Sequence, residues 1–324
     1  MPEPFSSFMA RALHDPQRGY YARRVQGIGA KGDFSTSATL SPLLGAAVAL
    51  WLREESRGMS EVRHVIEVGA GNGMLMETVK KSLGWWQRRR FQWHIVETSM
   101  SLRDLQKQRL GGGVIWHDDL SSALSACTGR AFIYHNELLD AFPVTLLQWH
   151  EDQWQEVQVE FSDGTARESL MPCLLSPSER GDFSALQTQP QSPRQRVELH
   201  ATVFDWLKGW APAWQQGAML TVDYGDVFPA LYHRRPNGTL RAYLLHQRLA
   251  GAAIYQNTGR QDITADINFT DYRAWGKSLG WEEAAYLTQA DFISSRLGAS
   301  SSQIMDSAGA GGAFKCMIQR KLRK

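Results

Sequence analysis

A glycine-rich turn carries the strongest chemical signal in the sequence. It runs from Glu67 to Gly73, between an apolar, strand-like run that starts at His64 and a helical stretch from Leu75 to Leu83. Its glycines are Gly69, Gly71 and Gly73. Glycines let a backbone turn tightly and approach a ligand, and the following helix offers free amides. A dinucleotide fingerprint would need glycine in place of Met74, and a P-loop would need Gly-Lys-Ser/Thr. The spacing favours S-adenosylmethionine over NAD; a tight connection without a ligand is the alternative.

Acidic residues follow the next two predicted strands. Glu97 ends the second strand, Phe91–Glu97, where a carboxylate can accept hydrogen bonds from both ribose hydroxyls of a nucleoside. An acid stabilised by a helix dipole is the alternative for Glu97. Asp118 and Asp119 follow the third strand, where one acid can meet the adenine amino group and the other can cap a helix. We therefore predict Glu67, Glu97 and Asp118 as cofactor-binding acids.

A pair of carboxylates follows the fourth predicted strand, Arg130–His135. Glu137 and Asp140 are three residues apart and would share one face if this segment were helical. Paired carboxylates can hold a guanidinium in bidentate fashion and favour loss of its proton during methyl transfer. Helix capping is the alternative. A DPPY-type motif is absent, which argues against a nucleobase as methyl acceptor.

A parallel sheet would bring these residues together. Strands alternate with helices from His64 to His135, which predicts an α/β fold with a mostly parallel sheet covered on both faces. We predict an N-terminal helical cap over residues 1–60 and a main domain over 61–324. Two insertions are expected in the main domain, at about 150–200 and 226–270.

Three later segments carry clear secondary-structure patterns. The stretch Trp149–Val159 alternates in polarity around an acidic middle, which predicts an antiparallel hairpin. We predict a helix over Val197–Trp210 and a buried strand over Ala218–Tyr224. The chain is expected to close with an edge strand over Phe314–Gln319.

Composition narrows the classes of partner. The 324 residues include 35 Lys and Arg and 33 Asp and Glu, a formal net charge of +2. The basic tail from Arg320 to Lys324 is short, so no nucleic acid partner is expected. Cys127, Cys173 and Cys316 are isolated in sequence, with neither CxxC spacing nor an even count. We therefore predict no metal site and a reducing compartment.

No apolar run is long enough to predict a membrane span. The longest, from about Leu40 to Leu52, is shorter than the ~20 apolar residues that a spanning helix needs. The N-terminus carries Glu3 and lacks the pattern of a secretory signal or a transit peptide. We expect a cytoplasmic protein without a membrane span, and a homodimer is compatible with the sequence.

Six motifs, taken together, resemble the MidA-like methyltransferases. They occur in order over most of the chain, at Gly32–Ser37, Glu67–Gly73, His94–Glu97, Asn136–Pro143, Asp223–Gly225 and Asp262–Phe269. The resemblance implies a Rossmann-like class I methyltransferase with a seven-stranded sheet, using S-adenosylmethionine and releasing S-adenosylhomocysteine. A mitochondrial member methylates an arginine of a complex I subunit, so the resemblance also implies a protein arginine acceptor.

The resemblance also implies roles for individual residues. Those placed on the cofactor are Asp33, Thr36, Ser37, Glu67, Gly69, Gly71, Gly73, Glu97, Asp118 and Asn136. Glu137 becomes the carboxylate anchor of the acceptor, with Asp140 as its helper. Those placed on the substrate side are Asp223, Tyr224, His246 and Asp262, for each of which a structural hydrogen bond is the alternative. The chain departs from the family pattern at Ala38-Thr39, where the family has Pro-Glu, and over Glu179–Arg194.

Two other functions stay open at this level. The chain could methylate a small molecule or a side chain other than arginine. It could also bind S-adenosylmethionine without turnover and act as an assembly factor, in which case its 12 tryptophans could serve a protein interface.

Overall fold

The computed structural model describes residues 1–23, 41–245, 247–298 and 302–323. The described chain falls into two compact units. The first comprises described residues within 1–23, 139–206 and 224–275, and the second those within 41–138, 207–223 and 276–323.

Helices and strands alternate through much of the chain. The α-helices of the described residues are Phe5–His14, Tyr20–Arg23, Leu43–Gly58, Met74–Ser82, Trp85–Arg90, Met100–Leu110, Leu120–Ala126, Pro177–Gly181, Ala201–Trp210, Phe269–Ser278, Gln289–Leu297 and Ala310–Ala313. The strands are β1 (Glu3–Pro4), β2 (His64–Val68), β3 (Gln92–Val96), β4 (Val114–His117), β5 (Ala131–Asn136), β6 (Thr145–His150), β7 (Gln153–Ser162), β8 (Thr165–Pro172), β9 (Arg196–Leu199), β10 (Gly217–Asp226), β11 (Arg241–Leu244), β12 (Gln247–Leu249), β13 (Asp262–Thr264), β14 (Ile267–Asn268), β15 (Glu282–Thr288) and β16 (Phe314–Lys321).

The second unit is built on a central, mostly parallel sheet. Seven of its eight strands follow the order β15-β16-β10-β5-β2-β3-β4, and the eighth strand, β14, pairs with β10 at Gly225 and Asp226. The pairs β10/β5, β5/β2, β2/β3 and β3/β4 are parallel, whereas β15 and β16 are antiparallel. This confirms the predicted α/β class with a mostly parallel sheet, which has eight strands where seven were expected. Strands that are buried on both faces have nearly continuous apolar sequences, as β2 and β5 do.

The register of this sheet brings the predicted site residues to one edge. Val68 of β2 pairs with Val96 of β3 and with His135 of β5. Because the three strands are parallel, the residues that follow them meet at their shared carboxyl edge. The glycine turn, Glu97 and Glu137 therefore lie at the same edge of the second unit.

The first unit holds a mostly antiparallel sheet of five strands. Its order is β1-β7-β6-β9, with β8 paired to β7. The predicted hairpin is confirmed, because Trp149 of β6 pairs with Trp154 of β7. A three-stranded sheet, β12-β11-β13, lies in the same unit. Both predicted insertions belong to this unit, and the division into a cap and a main domain stays a prediction.

Two secondary-structure predictions are wrong. The predicted helix Val197–Trp210 begins only at Ala201, because the preceding residues form β9 and pair with β6 from Thr145 to Gln148. Tertiary pairing overrides local helix propensity here. The predicted edge strand at the end of the chain is β16, which lies inside the sheet, because the antiparallel strand β15 covers its outer side.

Candidate functional site

The glycine turn follows β2 directly. Its three glycines adopt positive φ angles, 67° at Gly69, 53° at Gly71 and 77° at Gly73. This backbone region strongly favours glycine. The Gly69 amide donates to the Val96 carbonyl at 3.0 Å, so the turn is tied to the neighbouring strand. A Cβ atom at Gly69 would lie 2.8 Å from Cδ1 of Leu138.

The turn leads straight into the helix Met74–Ser82. Gly73 is the residue before its first turn, and the Asn72 side chain accepts a hydrogen bond from the Met74 amide at 3.1 Å. The first amides of a helix carry partial positive charge and lack partners within the helix. The turn therefore places hydrogen-bond donors at the carboxyl edge of the sheet, where α/β folds bind ligands.

A buried glutamine links this turn to the predicted ribose acid. Gln106 Nε2 donates to the Gly71 carbonyl at 2.8 Å and to Glu97 Oε2 at 3.1 Å. Its Oε1 accepts from Trp116 Nε1 at 2.9 Å. Gln106 is fully buried. Sequence reasoning missed this residue, although a glutamine on the apolar face of a helix was a signal.

Glu97 itself is buried and held on both oxygens. Its Oε1 accepts from the Ser99 amide at 3.0 Å, and Gln106 contacts Oε2. Burial raises the pKa of the Glu97 carboxyl, and these hydrogen bonds oppose the rise. An oriented carboxylate of this kind suits the two hydroxyls of a ribose.

Asp118 and Asp119 have different roles in the structure. Asp118 is exposed and pairs with Arg103 at 2.5 Å. Arg103 also donates to the carbonyl groups of Glu97 and His117, at 2.6 and 2.8 Å. Asp119 caps the helix Leu120–Ala126 through its side chain. Asp119 is therefore the helix cap of the two acids, and the ligand-binding role of Asp118 stays a prediction.

Glu67 is an acid inside the core. Tyr134 donates its hydroxyl to Glu67 Oε2 at 3.0 Å, and both side chains are buried. Burial raises the pKa of the Glu67 carboxyl to about 8, against the opposing effect of the Tyr134 hydrogen bond. Burial thus favours the neutral form of the Glu67 carboxyl in the folded protein.

Glu137 follows β5 in a strained conformation. Its φ is 52°, which is uncommon for a residue with a side chain. The Glu137 amide donates to the Val222 carbonyl at 3.0 Å, and Asn136 Nδ2 donates to Glu137 Oε1 at 3.1 Å. Strain of this kind persists only where surrounding contacts fix it, and it concentrates at functional sites.

Asp223 supports the same turn from the neighbouring strand. It is fully buried in β10, and its Oδ2 accepts from the Leu138 amide at 3.1 Å. This contact fixes the backbone next to Glu137. Asp223 therefore makes a structural hydrogen bond, which was the alternative to a substrate role in the sequence analysis.

The predicted helical pair of Glu137 and Asp140 is not formed. Glu137 lies in a bend, and Asp140 belongs to the short 3₁₀ helix Leu139–Ala141. The spacing of an α-helical face therefore does not apply. The physical reason is the positive φ of Glu137, which cannot belong to a right-handed helix.

In the first unit, a buried tyrosine–carboxylate pair contains Asp262. The Tyr21 hydroxyl donates to Asp262 Oδ1 at 2.9 Å. Burial raises the pKa of Asp262 to about 6, and the Tyr21 hydrogen bond and the positive charge of Arg241 lower it. Asp140 is also buried, and its charge raises the pKa of Tyr21. Its backbone carbonyl accepts a hydrogen bond from the Ala265 amide at 3.0 Å.

A buried arginine holds Tyr224 in the same unit. The Arg241 guanidinium lies 4.9 Å from the centre of the Tyr224 ring. It forms an ion pair with Asp266, which also pairs with Arg235 at 2.6 Å. A cation over an aromatic face is an attractive contact. It fixes the ring of Tyr224.

Four predicted site residues lie outside the residues that the structure describes. They are Asp33, Thr36, Ser37 and His246. Their roles stay predictions.

The geometry of the second unit fits S-adenosylmethionine. The buried, oriented Glu97 carboxylate offers acceptors for the hydroxyl groups of a nucleoside, and the glycine turn brings backbone close to the same edge of the sheet. A family model described as "Putative S-adenosyl-L-methionine-dependent methyltransferase" matches residues 47–287. The chain belongs to this family. The resemblance to the MidA-like methyltransferases is thereby confirmed, and the methyltransferase depends on S-adenosylmethionine.

Relatives of this methyltransferase occur in animals. The chain is 29% identical over 309 residues to the mitochondrial protein arginine methyltransferase NDUFAF7 homolog of Drosophila melanogaster. This match covers 86% of the present chain and 68% of the fly protein. It is also 26% identical over 312 residues to the human protein arginine methyltransferase NDUFAF7. This match covers 86% of the present chain and 67% of the human protein.

Solved structures share the fold. A crystal structure from Burkholderia thailandensis, bound to S-adenosyl-homocysteine, matches with a TM-score of 0.85 and 25% identity, over 98% of this chain and 88% of the other. A second crystal structure from that organism matches with a TM-score of 0.82 and 24% identity, over 98% and 87%.

The cytoplasmic location expected from the sequence is contradicted. The animal relatives of the methyltransferase are named as mitochondrial proteins. Within the described residues, no helix combines the length and the apolar character of a membrane span.

Proposed function

We propose that this methyltransferase transfers a methyl group from S-adenosylmethionine to a guanidinium nitrogen of an arginine in a protein. The animal relatives are named protein arginine methyltransferases. The observation that carries the proposal is Glu137, an acid held at the carboxyl edge of the central sheet with a φ of 52°.

The surroundings of Glu137 suit the binding of a cation. The Asn136 amide orients one carboxylate oxygen, and the contacts of the Glu137 and Leu138 amides fix the backbone. A carboxylate binds a guanidinium through two parallel charge-assisted hydrogen bonds, which also orient the nitrogen that reacts. Each hydrogen bond to a charged group contributes about 1.5–3 kcal/mol. Glu137 would therefore both bind the acceptor and set its direction.

The described residues proposed to hold the cofactor come from the glycine turn and from the carboxyl ends of the neighbouring parallel strands. They are Glu67, Gly69, Gly71, Gly73, Glu97, Asp118 and Asn136, with Asp33, Thr36 and Ser37 carried over from the family resemblance. When bound, S-adenosylmethionine supplies a methyl group that its positive sulfur has already activated. The task left to the protein is to orient the two reactants and to exclude water.

Acids and a tyrosine of the first unit are proposed to serve the acceptor. Asp262 is buried, receives the Tyr21 hydroxyl, and titrates closer to neutral pH than an ordinary aspartate. Asp140 stays proposed as a helper acid and Tyr224 as a substrate-side residue. His246 has its role from the resemblance alone. Asp223 is proposed as a positioning residue, because its carboxylate binds the Leu138 amide.

The acceptor class can be tested without knowing the target protein. The full chain is incubated with S-adenosylmethionine that carries a tritiated methyl group and with a protein extract from cells lacking this enzyme. The labelled proteins are then hydrolysed in acid and the amino acids are separated. We expect the label in methylated arginine.

Other outcomes would overturn parts of the proposal separately. Label in methyl-lysine, label released as methanol by mild base before the acid hydrolysis, or label confined to small molecules would reject arginine and keep the methyltransferase activity. Binding of S-adenosylhomocysteine without any transfer would favour an assembly factor. The Glu137→Gln variant should lose the label, whereas Glu151→Gln, which alters an exposed acid at a similar φ of 48°, should keep it.

A further inference from the structure

Three histidines lie on one face of the central sheet in the second unit. His64 begins β2, His94 lies in β3 and His117 ends β4. Ile66 pairs with His94, and Val96 pairs with His117. Side chains two residues apart in a strand share a face, so this register puts the three imidazoles on the same side.

The three rings form a continuous chain of contacts. His64 Nδ1 lies 3.0 Å from His94 Nε2, and His94 Nδ1 lies 3.0 Å from His117 Nε2. Each such contact needs one nitrogen with a proton and one without. At least one nitrogen of each facing pair therefore presents a lone pair, the form in which imidazole binds a metal.

A cysteine completes the cluster. Cys127 follows the helix Leu120–Ala126, and its Sγ and one nitrogen each of His64 and His94 lie within 4.8 Å of one another. His94 and Cys127 are almost fully buried, whereas His64 is partly exposed. An ion can thus reach the cluster past His64, while the other two ligands are kept from bulk water.

We propose that His64, His94 and Cys127 bind one Zn²⁺ ion. Imidazole nitrogen and thiolate sulfur are the ligands that zinc prefers, at about 2.0–2.1 and 2.3 Å. A tetrahedral ion with these bond lengths separates two nitrogens by about 3.3 Å and a nitrogen from sulfur by about 3.6 Å. The His64–His94 contact of 3.0 Å opens by only a few tenths of an ångström to reach this geometry.

The second contact between histidines, from His94 to His117, gives the site an outer partner. Metal-binding histidines usually use their second ring nitrogen in a hydrogen bond that fixes the ring. His94 does this through Nδ1, which contacts His117. The fourth zinc ligand would be a water molecule. The negative charge of the Cys127 thiolate would offset part of the charge of the divalent ion.

Zn²⁺ binding displaces the proton of the Cys127 thiol. The Cys127 thiol loses its proton to the buffer, and its sulfur lone pair forms the bond to Zn²⁺, while both imidazoles bind through lone pairs. About one proton is therefore released per ion. Calorimetric titration with ZnCl₂ in two buffers of different ionisation enthalpy measures that number.

The ligand set is tested by Co²⁺ substitution in the full chain. Co²⁺ bound to a thiolate gives a charge-transfer absorption band, and we expect this band at one equivalent. Cys127→Ser should abolish the band, and Cys316→Ser, at another fully buried thiol, should keep it. His64→Gln, at the partly exposed position, should weaken Zn²⁺ binding at least about tenfold, and His117→Gln about 10–100-fold through the outer contact.

Three results would overturn the proposal. They are the absence of Zn²⁺ uptake by the folded wild-type protein, a Co²⁺ band that survives in Cys127→Ser, and uptake of copper without zinc. If Cys127→Ser does not fold, His64→Gln decides, because equal Zn²⁺ affinity in that variant and the wild type rejects the site.

Discussion

Gln106 Nε2 lies 3.1 Å from Glu97 Oε2, and it lies 2.8 Å from the Gly71 carbonyl as well. One buried amide therefore couples the glycine turn to the acid proposed to bind the ribose. The contact also fixes the distance between two parts of the proposed cofactor site that follow separate strands.

Replacing this amide should damage both stability and cofactor binding. We expect Gln106→Leu to leave the Gly71 carbonyl and the Trp116 indole without this partner, which costs about 1–3 kcal/mol. The affinity for S-adenosylhomocysteine should fall about tenfold, or ~1.4 kcal/mol, because Glu97 loses its orientation. Calorimetric titration and denaturant unfolding measure the two effects. Gln289→Leu, at an equally buried glutamine, should lower stability alone. Equal affinities in both variants would reject the coupling.

The glycine at the start of the turn should be intolerant of a side chain. Gly69→Ala adds a Cβ atom at a φ of 67° and only 2.8 Å from Leu138 Cδ1. We expect about 1–2 kcal/mol of backbone strain and, in addition, a loss of methyl transfer, because Leu138 follows Glu137. Gly164→Ala is the control, because Gly164 has a φ of 74° and no atom lies within 4 Å of the added Cβ. It should show the backbone strain without a steric clash. Full activity in Gly69→Ala would contradict this account.

The Glu137 carboxylate should matter to transfer and little to cofactor binding. We expect Glu137→Gln to lower kcat by about 100-fold or more, ~2.7 kcal/mol, because the amide keeps the shape and loses the charge. The Kd for S-adenosylhomocysteine should stay within about threefold of the wild-type value. Single-turnover assays on an arginine peptide and calorimetry separate the two quantities. Normal turnover in the variant would remove the proposed role.

Activity should rise with pH through the titration of Asp262. Its pKa is about 6, above the ordinary 3.8, because the carboxyl is buried. The ionised form attracts a cationic acceptor, so kcat/KM is expected to be low below pH 6 and to rise above it. Asp262→Asn should remove this dependence. Tyr21→Phe should move the midpoint to higher pH, because the Tyr21 hydrogen bond lowers the pKa. Tyr255→Phe, at a buried tyrosine bonded to Glu168, should leave it unchanged.

Stability should fall as pH rises towards the raised pKa of Glu67. Its pKa is about 8 in the folded protein against an ordinary value of 4.5, so the folded state binds more protons between these pH values. The free energy of unfolding therefore decreases as pH rises from about 4.5 to 8, by up to ~1.4 kcal/mol per pH unit from this group. Glu67→Gln mimics the protonated acid and should remove that slope in denaturant unfolding between pH 5 and 9. An unchanged slope would show that folding does not raise the pKa of Glu67.

Much of the cofactor side could be predicted from the sequence. The turn from Glu67 to Gly73 needs glycine for local reasons, because its φ angles are positive. Glu97 follows a short apolar strand, and parallel strands bring their carboxyl ends together whatever their partners. The six motifs together also indicated the right family, because they occur in the family's order along the chain.

Other features needed the tertiary structure. Gln106 lies four residues after Leu102 on the buried face of the helix Met100–Leu110, but its partners come from other strands and turns. Glu137 and Asp140 looked like a helical pair, and the contacts of β5 with β10 instead hold Glu137 at a positive φ.

The proposed zinc site shows the same limit most clearly. No spacing in the sequence predicts a metal there, and the chain was expected to have none. His64, His94 and Cys127 are far apart along the chain, and strand register and the end of one helix bring them together. Local patterns determine which strands and turns form, because backbone sterics and periodicity act over a few residues. Which side chains then meet depends on the register between strands, and only the folded chain decides that.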